Sequence, residues 1–597
     1  TRLLPYFFTS HRMAPAGPRA IAAALYDSGL TNTRIVLQQW NPRFRPSQAK
    51  LDGRPIEILL VSSMQIHAER AYSLIAETRR GRTKDRPLII AGGPKAIYEP
   101  WDLLEIGGER GVGADVVVTG EEFVLMRLME VLLDYRGAGG NMLAAFRRAR
   151  RERALVDIPG LVYRQDEVED SPLVTTGIQR LVQNLDEMPH PILGFRLLEG
   201  PHRRGELNSQ PLAESRVWLH SYIASLTLSH GCKFNCDYCP IPAYNQRTFR
   251  FKSGERIVDE MRRIREQLGV RWFFGTDDNF FNNREAVEQM FEVMSRASIA
   301  RRPLRRAVKW GTEATEFDTW KNRDLLPDAR RSGLRAIWMG IEDLTATLVK
   351  KGQSVSKTAE LFALMNRWDI LPMPMMMHHD GQPLVTRGSM YGLLNQVEFL
   401  RKCGARSMQV TVLTPAVGTR AYEATYEKGL VFDTVDGKPV LQCRFDGNHV
   451  VASSSPRPWR TQLNVLCAYA LFYNPLNLLR FLTRLIAGCQ FDWSRRRSIN
   501  LLRCFRLPTS LEVAGALDQM QGITGLCVNV VDSCRWAYRL WRGPITHRRQ
   551  APGPKSPLRE VGRPPARLYA AATDRPRREP SLVHLKVGTA TLESAPV

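Results

Sequence analysis

Three cysteines on one short loop constrain the fold of this chain more than any other feature. Cys232, Cys236 and Cys239 have the spacing C-x3-C-x2-C, and their loop follows the apolar run 223–228. Three thiolates on such a loop can bind three corners of a [4Fe–4S] cluster and leave one iron without a protein ligand. A zinc site would require a fourth Cys or His at motif spacing, and His230 is adjacent to the loop rather than spaced for it. The pattern favours a cluster with one open iron over zinc, a disulfide or three unrelated buried cysteines.

This loop resembles that of the radical SAM superfamily, in which an aromatic residue stands just before the third cysteine, as Tyr238 does here. The resemblance implies that the three cysteines ligate the cluster, that Tyr238 borders the cofactor and that the open iron chelates S-adenosylmethionine. It also implies that an electron from the cluster, supplied by a donor such as flavodoxin or ferredoxin, cleaves S-adenosylmethionine to a 5′-deoxyadenosyl radical. This chemistry depends on the cofactor, because side chains cannot perform it alone.

Composition limits the compartment and the partners. The ten cysteines are few for 597 residues and none precedes Cys232, so a reducing cytoplasm is favoured over a secreted disulfide framework. The net charge of +24 would suit a nucleic acid or an anionic membrane, but arginines often adjoin acidic residues, as in 262–266. A solvated basic surface is therefore the preferred interpretation, and a nucleic-acid partner is not expected. No secretory signal is expected, and no run reaches 18 apolar residues, so a membrane span is not expected either.

Residues 1–140 alternate between strand-like and helix-like segments. The predicted strands are 56–62, 87–91 and 115–118, and the predicted helices are 19–29, 68–79 and 123–133. Such alternation predicts an α/β, doubly wound, Rossmann-like domain with a parallel sheet, whose ligands bind at the carboxyl ends of the strands.

The loops at that predicted edge resemble those of the cobalamin-binding domain that precedes the barrel in one large radical SAM subgroup. The resemblance implies that seven residues contact the corrin and its nucleotide tail: Ser62, Ser63, Gly92, Gly93, Pro94, Gly120 and Glu121. The D-x-H-x-x-G motif that supplies a cobalt ligand in other cobalamin domains is absent, and His67 does not fit it. This absence is usual for the subgroup, and it leaves a degenerate domain without cobalamin as the alternative.

Strand and helix alternation resumes over 216–450, which predicts a partial (βα)6, TIM-like barrel. Ser253 is expected to cap a helix with an apolar stripe. The strand ends resemble those of the family, including the D-D-N-F segment at 277–280, and the resemblance implies that four carboxylates bind S-adenosylmethionine: Asp277, Asp278, Glu313 and Glu342. For Asp277 and Asp278 the alternative is that they only cap the following helix. His378 and His379 could face the substrate, although exposure without a role is the favoured interpretation.

Three further regions complete the predicted organisation. Residues 141–215 are interpreted as a charged linker without chemistry, 451–545 as a helical C-terminal region and 546–597 as a disordered, basic, proline-rich tail. The helical region, with Arg495 to Arg497 and the segment 536–542, is interpreted either as a helical cap on the barrel or as a peripheral membrane surface.

Together these features predict a cytoplasmic, cobalamin-dependent radical SAM enzyme. The resemblance implies radical attack on an unactivated carbon of a small-molecule or lipid-like substrate, followed by methyl transfer or by rearrangement or ring closure. The first alternative is an RNA-modifying methylthiotransferase, but those proteins carry three more cysteines in an N-terminal domain that here has none. The second is a non-catalytic corrinoid sensor, which would have no use for an open iron. No catalytic residue is predicted.

Overall fold

The computed structural model of the protein describes residues 13–81, 86–106, 113–137, 140–166, 171–179, 181–488 and 510–552. Within these ranges the chain forms an N-terminal α/β unit, a parallel barrel-like sheet and a C-terminal helical layer.

The N-terminal unit is built on a five-stranded sheet of order β2-β3-β4-β5-β6 among the described residues. Strands β2 to β4 are parallel, and β5 and β6 extend the sheet in the antiparallel direction. The elements up to this point in the chain are β1 (Met13–Ala14), α1 (Ala16–Asp27), β2 (Ile58–Ser62), α2 (Ala68–Gly81), β3 (Leu88–Gly92), α3 (Pro94–Tyr98), α4 (Pro100–Leu104), β4 (Val116–Val118), α5 (Glu122–Arg136), α6 (Met142–Arg151), β5 (Leu161–Arg164) and β6 (Leu173–Thr175).

Both faces of this sheet are covered, which explains the continuous apolar run of β3. Leu88 and Ile90 pack against α5 and α6, whereas Ile89 and Ala91 pack against α2, α3 and α4. A strand buried on both faces needs apolar residues at every position. The predicted two-sided α/β fold is confirmed, with the three parallel strands lying side by side in chain order.

Residues 141–215 are not a simple linker, and that prediction is wrong for its first part. Helix α6 contributes Leu143 and Phe146 to the N-terminal core, and β5 pairs with β4 along Leu161 to Tyr163. The segment 158–164 is hairpin-like in sequence, but its pairing with β4 was not predicted, because β5 and β6 are only four and three residues long and lie in a charged segment.

The second unit contains a seven-stranded parallel sheet of order β1-β7-β10-β11-β12-β13-β14 among the described residues. Its last six strands are the predicted (βα)6 half-barrel, and β1 adds a seventh strand from near the start of the chain. The elements are α7 (Ile192–Phe195), β7 (Ile223–Leu226), β8 (Ser229–His230), α8 (Ile241–Tyr244), β9 (Arg250–Phe251), α9 (Gly254–Leu268), β10 (Trp272–Gly275), α10 (Arg284–Arg296), β11 (Lys309–Thr315), α11 (Glu316–Lys321), α12 (Leu326–Ser332), β12 (Leu334–Glu342), α13 (Val355–Arg367), β13 (Leu371–His378), α14 (Leu393–Lys402) and β14 (Gln409–Val412).

Local sequence accounts for the barrel helices. Ser253 caps α9 as predicted, because its hydroxyl accepts a hydrogen bond from the Arg256 N–H at 3.1 Å. The buried positions of α9 include Ile257, Met261 and Ile264, which pack in the main core against the sheet. This helix therefore has the apolar stripe and the start that the sequence predicts.

The C-terminal layer is mainly helical and packs on the last barrel strands. Its elements are α15 (Tyr422–Glu427), β15 (Val431–Val435), β16 (Lys438–Pro439), α16 (Pro458–Phe472), α17 (Pro475–Gly488), α18 (Ser510–Arg542) and β17 (Ile545–Arg548). Strand β17 pairs with β15, so the predicted disordered tail is wrong at its first residues, 546–548. The rest of that tail from residue 553, and Arg495 to Arg497, lie outside the described residues.

No helix in the described part of the chain is long and apolar enough to cross a membrane.

A buried ion pair joins the N-terminal unit to the barrel. Arg250 on β9 donates to Glu121 at 2.7 Å and to the Val182 carbonyl at 2.7 Å. The two charged side chains are 1% and 7% exposed, so water does not screen them. The pair fixes the carboxyl edge of the N-terminal sheet against the segment that follows the cysteine loop.

Breaking this pair should destabilise the protein strongly. Arg250→Ala leaves the Glu121 carboxylate buried without its cation, which typically costs about 3–5 kcal/mol in the free energy of unfolding. The double variant Glu121→Gln with Arg250→Met should recover most of that loss, because neither buried charge remains. Urea unfolding of the full chain measures both. Equal stability of Arg250→Ala and the parent would contradict the role of the pair.

Candidate active site around the cysteine loop

The three predicted cluster cysteines lie on one loop at the carboxyl end of β7, and none forms a disulfide. Burial raises the pKa of all three thiols, to about 12 for Cys239. Backbone N–H groups of Phe234 and Ile241 and the Lys351 ammonium oppose this effect at the thiols. A site that buries three thiols and provides N–H donors and a cation is suited to thiolate ligands of a metal centre.

The arrangement differs from a site for a single ion. Among the described residues, no group of three His, Cys, Asp or Glu side chains converges as one metal ion would require. Cysteines of an iron–sulfur cluster bind different iron atoms and do not converge on one point.

Asp277 and Asp278 hold the start of the cysteine loop. Oδ1 of Asp277 accepts hydrogen bonds from the Leu228 N–H at 3.0 Å and the Ser229 N–H at 2.7 Å, and Oδ2 accepts one from the Thr312 hydroxyl. Oδ2 of Asp278 accepts from the Gly231 N–H at 2.7 Å. Neither residue caps the following helix, and Asp277, at 2% exposed, is occupied by the chain itself. These hydrogen bonds give Asp277 a role in positioning the loop, and its direct contact with S-adenosylmethionine stays a prediction.

Gly231 is required where the loop turns. Its φ of 97° is in the left-handed region, and a Cβ at this position would lie 2.1 Å from the Thr248 carbonyl oxygen. Only glycine avoids both the conformational strain and the clash. The residue immediately before the first cysteine is thus determined by backbone geometry.

Asn279 lies at the site, although the sequence analysis predicted no role for it. It is the third residue of the D-D-N-F segment at 277–280. It is fully buried, and its amide nitrogen lies 3.7 Å from the Cys232 sulfur and 2.7 Å from an Asp318 carboxylate oxygen. Its own oxygen accepts the Thr315 N–H at 3.1 Å. These partners orient an N–H donor toward a cluster cysteine, and such donors tune the reduction potential of iron–sulfur clusters.

Lys351 brings a buried cation beside the predicted residues Tyr238 and Glu342. Its ammonium forms an ion pair with Glu342 at 2.9 Å and lies 5.8 Å from the Tyr238 ring centroid. Burial lowers the pKa of Lys351, but the charges of Glu342 and Cys236 together outweigh this effect and raise it above its usual value. The ammonium group is therefore charged at neutral pH. Glu342 has a φ of 60° beside a strand irregularity, a strained conformation of the kind found at functional sites.

Glu313 is the predicted carboxylate that remains available. No hydrogen bond or ion pair from a described side chain reaches its carboxylate, and burial together with Asp277 and Asp278 raises its pKa to about 7. Its strand register places it on the same face as Trp338 and Met373, inside the half-barrel. The geometry suits a cationic group of a ligand bound there.

The inner face of the half-barrel is otherwise apolar. Phe274 and Trp338 contact edge to face, with ring centroids 5.0 Å apart, and Met373 and Met375 follow on β13 by strand register. The sequence did not predict this lining, because alternation of side chains along a strand does not show which of its two faces is turned inward.

His378 is not an exposed residue, which corrects the favoured interpretation. It is 1% exposed, its Nδ1 lies 2.8 Å from Gln382 Oε1, and its Nε2 lies 3.1 Å from Asn464 Nδ2. Burial lowers its pKa, so the ring is neutral and structural.

The predicted cobalamin contacts divide into two groups. Gly93 has a φ of 87°, and a Cβ there would lie 2.7 Å from Ser62 Oγ, so Ser62, Ser63 and Gly93 meet at one edge with Gly92 and Pro94. Ser63 Oγ is buried without a hydrogen-bond partner among the described residues. An open edge with close-packed glycine and an unsatisfied hydroxyl fits a bound ligand.

Gly120 and Glu121 line a cavity at this edge, together with Ile97 and Pro100. A Cβ on Gly120 would lie 2.2 Å from Gln179 Oε1, and Glu121 binds Arg250 and the Val182 N–H. Glu121 joins the two units through Arg250, so its carboxylate is already occupied, and contact of either residue with a corrin stays a prediction.

Tyr98 connects the N-terminal edge to the cysteine loop. Its hydroxyl donates to the Pro240 carbonyl at 3.0 Å, next to Cys239. Gly418, in the segment that resembles the end of the family barrel, has a φ of 86° and packs against the Tyr98 ring, where a Cβ would lie 2.5 Å away. The two units thus meet beside the third cysteine.

Comparison with known proteins identifies the superfamily. Residues 226–368, which contain the cysteine loop and its anchoring carboxylates, match the Radical SAM superfamily model. This part of the chain is a radical SAM domain. Its fold is similar to that of TsrM from Kitasatospora setae, a radical S-adenosylmethionine methyltransferase, with a TM-score of 0.53, 16% identity and coverage of 87% of this chain and 97% of that one. The predicted fold class, an α/β chain with a radical SAM half-barrel and a helical C-terminal region, is thereby confirmed.

Curated relatives of this chain include methyltransferases. An uncharacterized methyltransferase of Pyrococcus horikoshii is 23% identical over 375 residues, or 60% of this chain and 68% of the relative. A hopanoid C-2 methylase of Rhodopseudomonas palustris is 30% identical over 144 residues, or 23% of this chain and 25% of the relative. An anaerobic magnesium-protoporphyrin IX monomethyl ester cyclase of Cereibacter sphaeroides is 27% identical over 152 residues, or 25% of this chain and 24% of the relative. Most of these relatives are thus matched over only a quarter of their length.

The loop-positioning role of Asp277 can be separated from direct cofactor contact. Asp277→Asn keeps an acceptor for the Leu228 and Ser229 N–H groups, so cluster content and affinity for S-adenosylmethionine should stay near those of the parent. Asp277→Ala leaves these N–H groups unsatisfied at about 1–3 kcal/mol each, and should lower both the melting temperature and the iron content. If Asp277→Asn instead weakened S-adenosylmethionine binding by about one to two decades with iron content unchanged, a direct charge-assisted contact would be the better account.

Proposed function

We propose that this enzyme is a cobalamin-dependent methyltransferase acting on an unactivated carbon of an apolar small molecule. The observation that carries the proposal is the cysteine loop with its three free thiols. Asp277 and Asp278 bind the backbone at the start of this loop, and the N–H donor of Asn279 and the cation of Lys351 lie beside the thiols. The methyltransferases among its relatives and the fold of TsrM support the choice of reaction.

The residues fit an iron–sulfur cluster and S-adenosylmethionine. Cys232, Cys236 and Cys239 would hold the cluster, which supplies reductive cleavage of S-adenosylmethionine when bound. Glu313 would accept the ammonium group of the cofactor, since it is the carboxylate at this edge without a partner among the described side chains. Lys351 offsets thiolate charge that burial would otherwise disfavour.

Cobalamin would bind at the edge formed by Ser62, Ser63, Gly92, Gly93 and Pro94. The structure of TsrM that resembles this chain is described with cobalamin and a [4Fe–4S] cluster bound. Gly93 allows close backbone approach, and Ser63 offers a buried hydroxyl that lacks a partner among the described residues. The Tyr98 contact with Pro240 places this edge next to the cluster loop, which suits a reaction that uses both cofactors.

The substrate class follows from the inner lining of the half-barrel. Phe274, Trp338 and Met375 offer apolar contact, whereas the polar groups at the strand ends are occupied by one another or assigned to the cofactor. Apolar linings select apolar ligands, so a lipid-like or other hydrophobic small molecule is favoured over RNA. The similarity to a cyclase keeps ring closure as the second candidate reaction, with the same cofactor site.

Anaerobic reconstitution tests the central proposal. The parent should bind one [4Fe–4S] cluster and one cobalamin and should produce 5′-deoxyadenosine or S-adenosylhomocysteine from S-adenosylmethionine. Cys232→Ala, Cys236→Ala and Cys239→Ala should each abolish the visible cluster absorption and the product while leaving cobalamin bound. Unchanged absorption in these variants would refute the cluster, and a parent that binds the cluster but no cobalamin would indicate the degenerate domain.

Binding of S-adenosylmethionine should depend on pH through Glu313. Burial and the neighbouring aspartates raise the pKa of Glu313 to about 7, so below that pH the carboxyl group is protonated and cannot pair with an ammonium. Affinity should therefore rise with pH through this region, by roughly tenfold per unit below the pKa. Isothermal titration calorimetry between pH 6 and pH 8, on both sides of the raised pKa, measures this change in affinity for S-adenosylmethionine. Glu313→Gln should bind weakly with little pH dependence, and a Glu313→Gln variant that keeps the pH profile of the parent would rule out this role.

A further inference from the structure

Helix α18 carries a stripe of exposed apolar side chains. Its five large members are each half exposed or more: Leu517, Met520, Val531, Tyr538 and Trp541. Thr524, Cys527 and Cys534 stand between them, so the spacing alternates between three and four residues from 517 to 541. These eight residues are named the α18 stripe, and both of its cysteines are exposed.

The opposite face of α18 packs against the rest of the chain. Trp536 is 3% exposed, and its indole N–H donates to the Val450 carbonyl at 3.0 Å. Gly522 lets the helix approach Tyr473, since a Cβ at that position would lie 2.0 Å from the Tyr473 ring. Packing among the described residues therefore uses one face of the helix and leaves the α18 stripe to solvent.

The spacing of the α18 stripe is that of a helix which pairs with another helix. Steps of three and four residues average about 3.5, the repeat that keeps an apolar seam facing a partner helix along its length. The stripe is roughly 36 Å long, because an α-helix rises about 1.5 Å per residue. Its hydroxyl groups already have partners: Thr524 donates to the Met520 carbonyl at 2.7 Å, and Tyr538 accepts from Arg542 at 2.8 Å. A partner can therefore cover these side chains without removing their hydrogen bonds.

Side-chain size along the α18 stripe fits an antiparallel pair. The stripe residues within 524–534 are small, and its two ends carry Leu517 with Met520 and Tyr538 with Trp541. Two straight helices that cross are closest at the crossing point, so small side chains fit at the centre and large ones at the ends. An antiparallel pair centred on residue 529 places Leu517 against Trp541 of a second copy, and Met520 against its Tyr538.

The charges of α18 favour the same orientation. Residues 510–526 include two acidic and no basic residues, whereas residues 535–542 include three arginines. An antiparallel pair brings each acidic end beside a basic end, and a parallel pair would bring the arginines of both copies together. Residues 510–534 contain no Lys or Arg, which disfavours an anionic membrane as the partner, because helices that lie on such membranes carry cations along their polar face.

We propose that the α18 stripe forms a two-fold, antiparallel interface with the same stripe of a second copy of this chain. Such an interface is closed, because each copy offers the same surface to the other. The inference does not depend on the proposed function, since none of the eight residues is assigned to a cofactor or to the lining of the half-barrel. Exposed apolar surface of this extent is typical of sites at which proteins associate.

Anaerobic sedimentation velocity of the reconstituted full chain, over a range of protein concentrations, tests the interface. The parent should sediment as a monomer and dimer in equilibrium. Val531→Glu would place two carboxylates near the centre of the pair and should raise the dissociation constant of the dimer about a hundredfold. Val156→Glu is the matched control, because Val156 lies on the N-terminal unit and is 51% exposed, against 52% for Val531. This control should associate as the parent does.

Cysteine crosslinking tests the orientation of the two helices. In the antiparallel pair Cys534 faces Thr524 of the second copy, so Thr524→Cys should form a disulfide-linked dimer when it is treated anaerobically with oxidised glutathione. The same variant with Cys534→Ser added should not crosslink. The parent should not crosslink through Cys527, which faces Val531 of the second copy.

A parent that stays monomeric would overturn the interface, and so would equal dissociation constants for Val531→Glu and the parent or an equal loss in Val156→Glu. A disulfide between the Cys527 residues of two parent chains would indicate a parallel pair and overturn the antiparallel one. If a monomeric parent bound phosphatidylglycerol vesicles and Val531→Glu did not, the stripe would be assigned to a membrane and the dimer overturned. Each of these outcomes leaves the proposed function as it stands.

Discussion

The hydrogen bonds that two adjacent carboxylates accept from the cysteine loop are the interactions on which the site depends. Asp277 and Asp278 reach across from the end of β10 and fix the backbone from Leu228 to Gly231 before the first cysteine. Burial raises the pKa of Asp277 to about 6, because the hydrogen bonds it accepts only partly offset the cost of desolvation. The protein retains a buried carboxylate here because no apolar side chain could satisfy the same N–H groups.

Sequence pattern predicted the elements whose signal is local. The spacing of the cysteines, the Ser253 cap and the two-sided burial of β3 are all visible in neighbouring residues. Elements defined by distant pairing were missed. Strand β1 has only two residues and exists because Met13 pairs with Ile223, and β17 exists because of its pairing with β15. No local propensity distinguishes such short segments from loops.

The same limit applies within the site. A carboxylate at a strand end has the same sequence signature whether it binds a cofactor, caps a helix or accepts hydrogen bonds from N–H groups of a loop 47–49 residues away. The contacts separate the predicted carboxylates into two groups. Three of them already have partners in the chain: Asp277 binds the cysteine loop, Glu342 binds Lys351 and Glu121 binds Arg250. Glu313 has no partner among the described side chains. Asn279 and Lys351 were missed because neither residue type marks a cluster site by itself.

Contacts between the two units suit a reaction that requires two cofactors to meet. Tyr98 follows the Gly92, Gly93 and Pro94 loop by one short helix, and its hydroxyl binds the backbone next to the third cysteine. The buried pair of Glu121 and Arg250 fixes the same sheet edge to the strand that follows the cysteine loop. With both ends of this edge held, a ligand at Ser62 and Gly93 would have a defined position relative to the cluster loop, which is the preorganisation that reaction between two bound groups requires. Residues that the sequence assigns to a cofactor can therefore contribute by fixing one unit against the other, without contacting the cofactor.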